Sequence, residues 1–81
     1  MKLVRVNNEI ISLENVRRVN TSVTETSHTS YGRKYVVQHY SIRILYHGGE
    51  REDITCGENE AGEMCLKSII ETIFEILSKD E

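Results

Sequence analysis

The sequence predicts an α+β fold, an antiparallel sheet of four or five strands with one C-terminal helix packed on one face. Three observations predict it. Residues 16–26 and 35–47 alternate β-favouring side chains with a period of two. The dipeptides Asn7-Asn8 and Gly48-Gly49 interrupt the apolar segments where tight turns belong. Apolar residues from Cys65 to Leu77 recur at helical spacing.

Residues 2–6 carry Leu3, Val4 and Val6, and residues 9–13 carry Ile10, Ile11 and Leu13. With Asn7-Asn8 between them, they read as a hairpin, because Asn tolerates positive φ. Ser12 to Asn15 breaks the pattern. From Val16 onward, Val19, Thr21, Val23 and Glu25 alternate against Arg18, Asn20, Ser22 and Thr24. The Val and Thr side chains favour a strand, since branched Cβ atoms suit a pleated surface. Residues 27–34 have no periodicity and read as a flexible loop or hairpin tip. Tyr35 to His47 is a long strand, with Tyr40, Ile42, Ile44 and Tyr46 on one face. Gly48-Gly49 reads as a two-residue turn with positive φ at both positions. The return strand, 51–56, is expected to end at Gly57.

The helix is expected over 59–78. Asn59 is the candidate N-cap, and Glu58, Glu60 and Glu63 complement the helix dipole. Cys65, Leu66, Ile69, Ile70, Ile73, Ile76 and Leu77 form a broad apolar face, and Glu63, Lys67, Glu71, Glu75 and Lys79 a polar one. Ile70 and Phe74 lie at the margin of the apolar face, which is wider than one small sheet requires.

The chain has 81 residues, 10 basic and 13 acidic, with a formal charge of -3 and 38% hydrophobic residues. That length predicts a single domain spanning 1–81 with strands over about 2–57. A chain this size buries roughly 60–65% of its unfolded surface, so the core is thin and self-association is an expected supplement. The composition is too apolar for a disordered tail and too polar for a membrane span. No apolar run of seven follows Lys2, so no secretory signal is expected. Cys56 and Cys65 then read as reduced thiols in a cytoplasmic protein rather than a disulfide. The acidic balance argues against a general nucleic-acid or membrane binder.

The stretch VNNEIISLENVRRV, residues 6–19, resembles the opening of small uncharacterised bacterial and phage-type proteins. YSIRILYHGGEREDITCGENEA, residues 40–61, resembles their closing hairpin and helix start. The hairpin–hairpin–helix order also looks like the C-terminal part of a pleckstrin-homology-like barrel, and a ββββα order is similar to single-strand-binding transcriptional cofactors. The first resemblance implies a sheet-plus-helix fold and no particular chemistry.

No catalytic set, metal site or cofactor is expected. His28, His39, His47, Cys56 and Cys65 are the soft ligands. His39 and His47 stand roughly 27 Å apart on a straight strand. Glu58 and Glu60 beside Cys56 are expected to raise its thiol pKa, which disfavours a nucleophile. Glu50, Glu52 and Asp53 at the Gly-Gly turn read as a solvated hairpin tip. Gly48-Gly49 lacks the spacing of a phosphate loop.

The preferred expectation is a non-enzymatic interaction or accessory module that forms a homo-oligomer, most simply a dimer. Its contact residues would be Met64, Ile70 and Phe74, or strand edges near 18–26 and 35–40. The alternative is a small nucleic-acid-binding regulator. It would use Arg17, Arg18, Arg33, Lys34 and Arg43, with Tyr31, Tyr35 and Tyr40 as stacking rings.

Overall fold

A computed structural model describes residues 2–79. It contains β1 (Leu3–Val6), β2 (Glu9–Ser12), β3 (Val16–Ser30), β4 (Arg33–Tyr46), β5 (Arg51–Glu58) and α1 (Asn59–Ser78). The fold is α+β with antiparallel sheets and one C-terminal helix. The described residues form five strands, in two sheets rather than the expected single one: β1-β2, and β3-β4-β5.

The division follows from where apolar side chains must go. Val4, Val6, Ile11 and Leu13 share one face of the first hairpin and are buried against Ile42, Ile44, Ile54 and Ile73. The hairpin therefore lays its face on the core instead of adding a strand to the larger sheet. Within the hairpin the Leu13 N–H donates to the Lys2 carbonyl (2.8 Å). Polar contacts also hold the hairpin to the larger sheet: the His47 N–H donates to the Asn15 carbonyl (3.0 Å). The Tyr46 hydroxyl donates to the Ser12 carbonyl (2.7 Å). Asn7 Nδ2 donates to the Thr55 carbonyl (3.3 Å), which places the hairpin tip beside the outer edge of β5.

Asn7 and Asn8 both have positive φ (50° and 67°), so β1 and β2 join through the expected two-residue turn. The Gly48-Gly49 turn differs from expectation. The Tyr46 carbonyl accepts the Gly49 N–H and the Tyr46 N–H donates to the Glu50 carbonyl, which closes a three-residue loop. Only Gly49 of the pair takes positive φ (88°), as a type I turn followed by a left-handed residue requires.

Of the two readings expected for residues 27–34, a flexible loop or a hairpin tip, the structure shows the hairpin tip. β3 pairs with β4 from Val16↔Tyr46 out to Ser30↔Arg33, and Tyr31-Gly32 (φ 51° and 77°) makes a second two-residue turn. The result is an arm that projects from the core, giving extents of 54 × 24 × 21 Å. The β3–β4 ladder pairs the inward-facing backbone groups of the arm, so no apolar periodicity is needed to keep it regular. Thr26 Oγ1 bonds His28 Nε2 (2.9 Å) and His39 Nε2 (3.0 Å), and the His28 ring stacks on Tyr35.

Gly57 does not end β5. It takes φ 130° at a register shift opposite Tyr40, and the strand continues to Glu58. The helix follows with no linker. Asn59 is not the N-cap; Glu58 holds that place without a side-chain bond, and Asn59 takes φ 52°. The Asn59 Oδ1 instead accepts the Gln38 N–H of β4 (3.1 Å), tying the helix start to the sheet. α1 then crosses β4 and β5 and touches β1. Ile73 is buried beneath it, and Cys65, Leu66, Ile69, Ile70, Ile76 and Leu77 are half-buried along the same face.

The crossing is close because Gly62 lies against Gly57. A Cβ at Gly62 would stand 2.5 Å from the Gly57 carbonyl carbon and oxygen, and 3.1 Å from Tyr40 Cδ2. In an open helix, Gly→Ala is worth about 1 kcal/mol of added stability. Here the sign reverses. Gly62→Ala is expected to destabilise the fold by about 1–3 kcal/mol through overpacking against backbone. A fall in the urea midpoint of about 1 M or more checks it; an unchanged or raised midpoint contradicts the close packing.

Candidate interaction surface

The register of β3 on β4 sets out the surface. Val19 lies opposite Ile44, Thr21 opposite Ile42 and Val23 opposite Tyr40, so the odd-numbered residues of β3 share the face that α1 covers. The helix sits over β4 and β5, however, and stops short of β3. An apolar groove remains between helix and strand, with a volume of about 350 Å³, lined by Val19, Thr21, Ile70, Ile73, Phe74 and Leu77. Phe74 forms its rim and is 71% exposed.

The structure brings Ile70 and Phe74 together in this groove. Met64 is exposed but stands ten helical residues from Phe74, roughly 15 Å along the axis, and does not line the groove. Val19, Thr21, Ile73 and Leu77 complete the lining. The alternation in β3 carried part of that signal, but only the β3–β4 register shows that Val19 and Thr21 reach the helix side.

The two sheet edges differ. The first hairpin stands beside the edge of β5. Among the described residues, no strand pairs with the outer edge of β3. From Val19 to Thr24 that edge carries neither a charge nor a proline, the usual guards against pairing with another chain.

The opposite face of the sheet is polar. Asn20, Ser22, Ser41, Arg43, Asp53 and Thr55 surround a shallow hollow of about 260 Å³. Arg43 Nε donates to Asp53 Oδ1 (2.8 Å), which holds that carboxyl below its ordinary range. Arg51 stands 3.9 Å from the same carboxylate. Arg18 is a diagonal neighbour of Arg43, through the Asn20↔Arg43 and Arg18↔Leu45 pairs. Arg33 and Lys34 lie at the arm tip with Tyr31, roughly 40 Å along the hairpin from Arg18. The five basic residues therefore form two separate groups, and one member of the inner group is already paired.

Cys56 on β5 and Cys65 on α1 are both half-buried with free thiols that touch each other. Burial raises the Cys56 thiol from about 9 to about 11, and the neighbouring Cys65 adds to the rise. The direction matches expectation, but its cause is burial and Cys65 rather than Glu58 and Glu60. Among the described residues, no group of three or more His, Cys, Asp or Glu side chains is placed to hold a metal ion. No described helix is long and apolar enough to cross a membrane. No family model, curated protein or solved structure matches the chain.

Two outcomes follow from the Cys56 environment. At pH 8 a thiol at about 11 holds roughly a hundredth of the thiolate of one at about 9. Alkylation of Cys56, followed by peptide mass mapping, is expected to run about a hundredfold slower than in the urea-unfolded chain; equal rates contradict the burial. The folded state also keeps this proton longer than the unfolded chain. The contribution of this thiol to stability is therefore full below about pH 9 and is lost as pH rises toward 11. Raised hydroxyl pKa values at Tyr40 and Tyr46, caused first by burial, act in the same direction above pH 10. Urea midpoints at pH 8 and pH 10.5 check the sign.

Proposed function

We propose that this chain is a small non-enzymatic interaction module of the cytoplasm that works as a homodimer, with the groove at Phe74 as its principal contact. The observation that carries this reading is the exposed Phe74 ring on the rim of an apolar groove, beside the open edge of β3. An exposed aromatic next to a preformed apolar groove has the character of an interface anchor. The size of the chain supports the reading too. Among the described residues nine hydrophobic ones are buried, and a second copy would add to that core.

The alternative, a nucleic-acid-binding regulator, has less support. Its Arg18 and Arg43 share the sheet face with Asp53, Arg17 sits at the register shift between Val16 and Arg18, and Arg33 and Lys34 lie at the far tip of the arm. Phosphate-tracking proteins concentrate such residues along one groove.

Phe74→Glu separates the readings. Loss of an anchor residue costs about 2 kcal/mol or more. At 1.4 kcal/mol per tenfold, that is a loss of dimer affinity of at least about 25-fold. Light scattering across a dilution series is expected to show a dimer for the parent chain and a monomer for the variant, with unchanged circular dichroism. A monomeric parent chain that binds oligonucleotides, with affinity falling steeply as salt rises, would favour the alternative.

A further inference from the structure

We propose that the second copy joins edge to edge through β3, in an antiparallel register centred on Thr21, so that two three-stranded sheets become one of six. This inference rests on the dimer reading above and specifies its geometry. The surface on one copy must then be complementary to itself, because a two-fold interface uses the same patch twice.

Antiparallel pairing of two β3 edges requires the two-fold axis to stand perpendicular to the sheet. That operation keeps both helices on one face and lets residues of like face meet. With Thr21 on the axis, Thr21 faces its own copy, Asn20 faces Ser22, Val19 faces Val23 and Arg18 faces Thr24. The Arg17-Arg18 pair is also brought beside Glu25 of the other copy, so the charges are complementary. Other centres lose these matches. Centring on Ser22 sets Val19 against Glu25. Centring on Val23 sets Thr21 against Glu25 and Val19 against Ser27. Centring on Asn20 sets Arg17 against Val23. Valine pairs and opposite charges across a ladder are favourable, and a valine facing a carboxylate is not.

The same register fills the groove. Val19 and Val23 both belong to the helix-covered face, and Val23 is half-exposed in one chain. In the pair, Val23 of each copy meets Val19 at the floor of the other's groove, beside Ile70 and Phe74. β3 shifts register between Val16 and Arg18, so the regular part of the shared ladder runs over residues 18–24, roughly 23 Å. Beyond it, each arm continues past Val16 of the other copy, alongside its Glu14-Asn15 turn. This gives the projecting arm a surface to lie on.

Cysteine cross-linking reads the register. Thr21→Cys is expected to convert on mild oxidation to a species of twice the 9.3 kDa chain mass on a non-reducing gel. Val23→Cys alone is not, because its two copies would lie roughly 13 Å apart along the ladder. A mixture of Val19→Cys and Val23→Cys chains is expected to cross-link. The parent chain, whose Cys56 and Cys65 are half-buried, is the control, and circular dichroism confirms that each variant folds. In a chain that is dimeric by light scattering, cross-linking at Val23 in place of Thr21, or at neither, overturns the register and leaves self-association standing. A chain that stays monomeric overturns both and leaves the groove to a different protein.

Discussion

β5 runs into α1 without a loop, and the contact between Gly57 and Gly62 makes that possible. A chain turning from strand to helix in so little space must bring two backbones together with no Cβ between them. Gly57 supplies the positive φ, Asn59 takes a second left-handed position, and its side chain bonds back to β4. The start of the helix is thereby pinned at the β4–β5 side of the sheet. Its apolar stripe then falls on Ile42, Ile44 and Ile54, with the first hairpin closing the remaining side. The groove on the helix side of the sheet follows from this placement. A helix anchored over β4 and β5 leaves β3 uncovered, and the uncovered strip becomes the groove beside Phe74.

The molecule is therefore built unevenly. One end holds a thin core in which hairpin, sheet and helix all contribute. The other is a two-stranded arm, regular because its ladder and its turn are good rather than because it covers anything. Isolated two-stranded hairpins are marginal in water. The Thr26–His28 and Thr26–His39 bonds and the His28–Tyr35 stack are local supports of modest size. The arm is attached to an edge without charge or proline over Val19 to Thr24.

Much of the architecture was legible in residue order. The alternation from Val16 and the helical stripe from Cys65 to Leu77 placed β3, β4 and α1, because burial on one face imposes a period on any strand or helix. Asn7-Asn8 announced its turn, since Asn is among the few residues that accept a left-handed backbone. Tyr31-Gly32 did so only weakly, because only its second residue is a turn former, and 27–34 read as either a flexible loop or a hairpin tip. In the arm, backbone pairing supplies the order, so side-chain periodicity had nothing to report. Ile70 and Phe74 stood out as marginal to the helix stripe, and the groove does contain them. Met64 shared that exposure but lies too far along the axis to join it.

The sequence by itself determined the order of elements, the faces they bury and the α+β class, since these depend on local propensity and on periods within single segments. Tertiary structure alone decided that the strands divide into two sheets, that the Gly57–Gly62 contact offsets the helix from β3, and that Val19 and Thr21 line a groove with Phe74. Those outcomes depend on which distant segments meet and in what register. Register is a relation between segments, and no single segment encodes it.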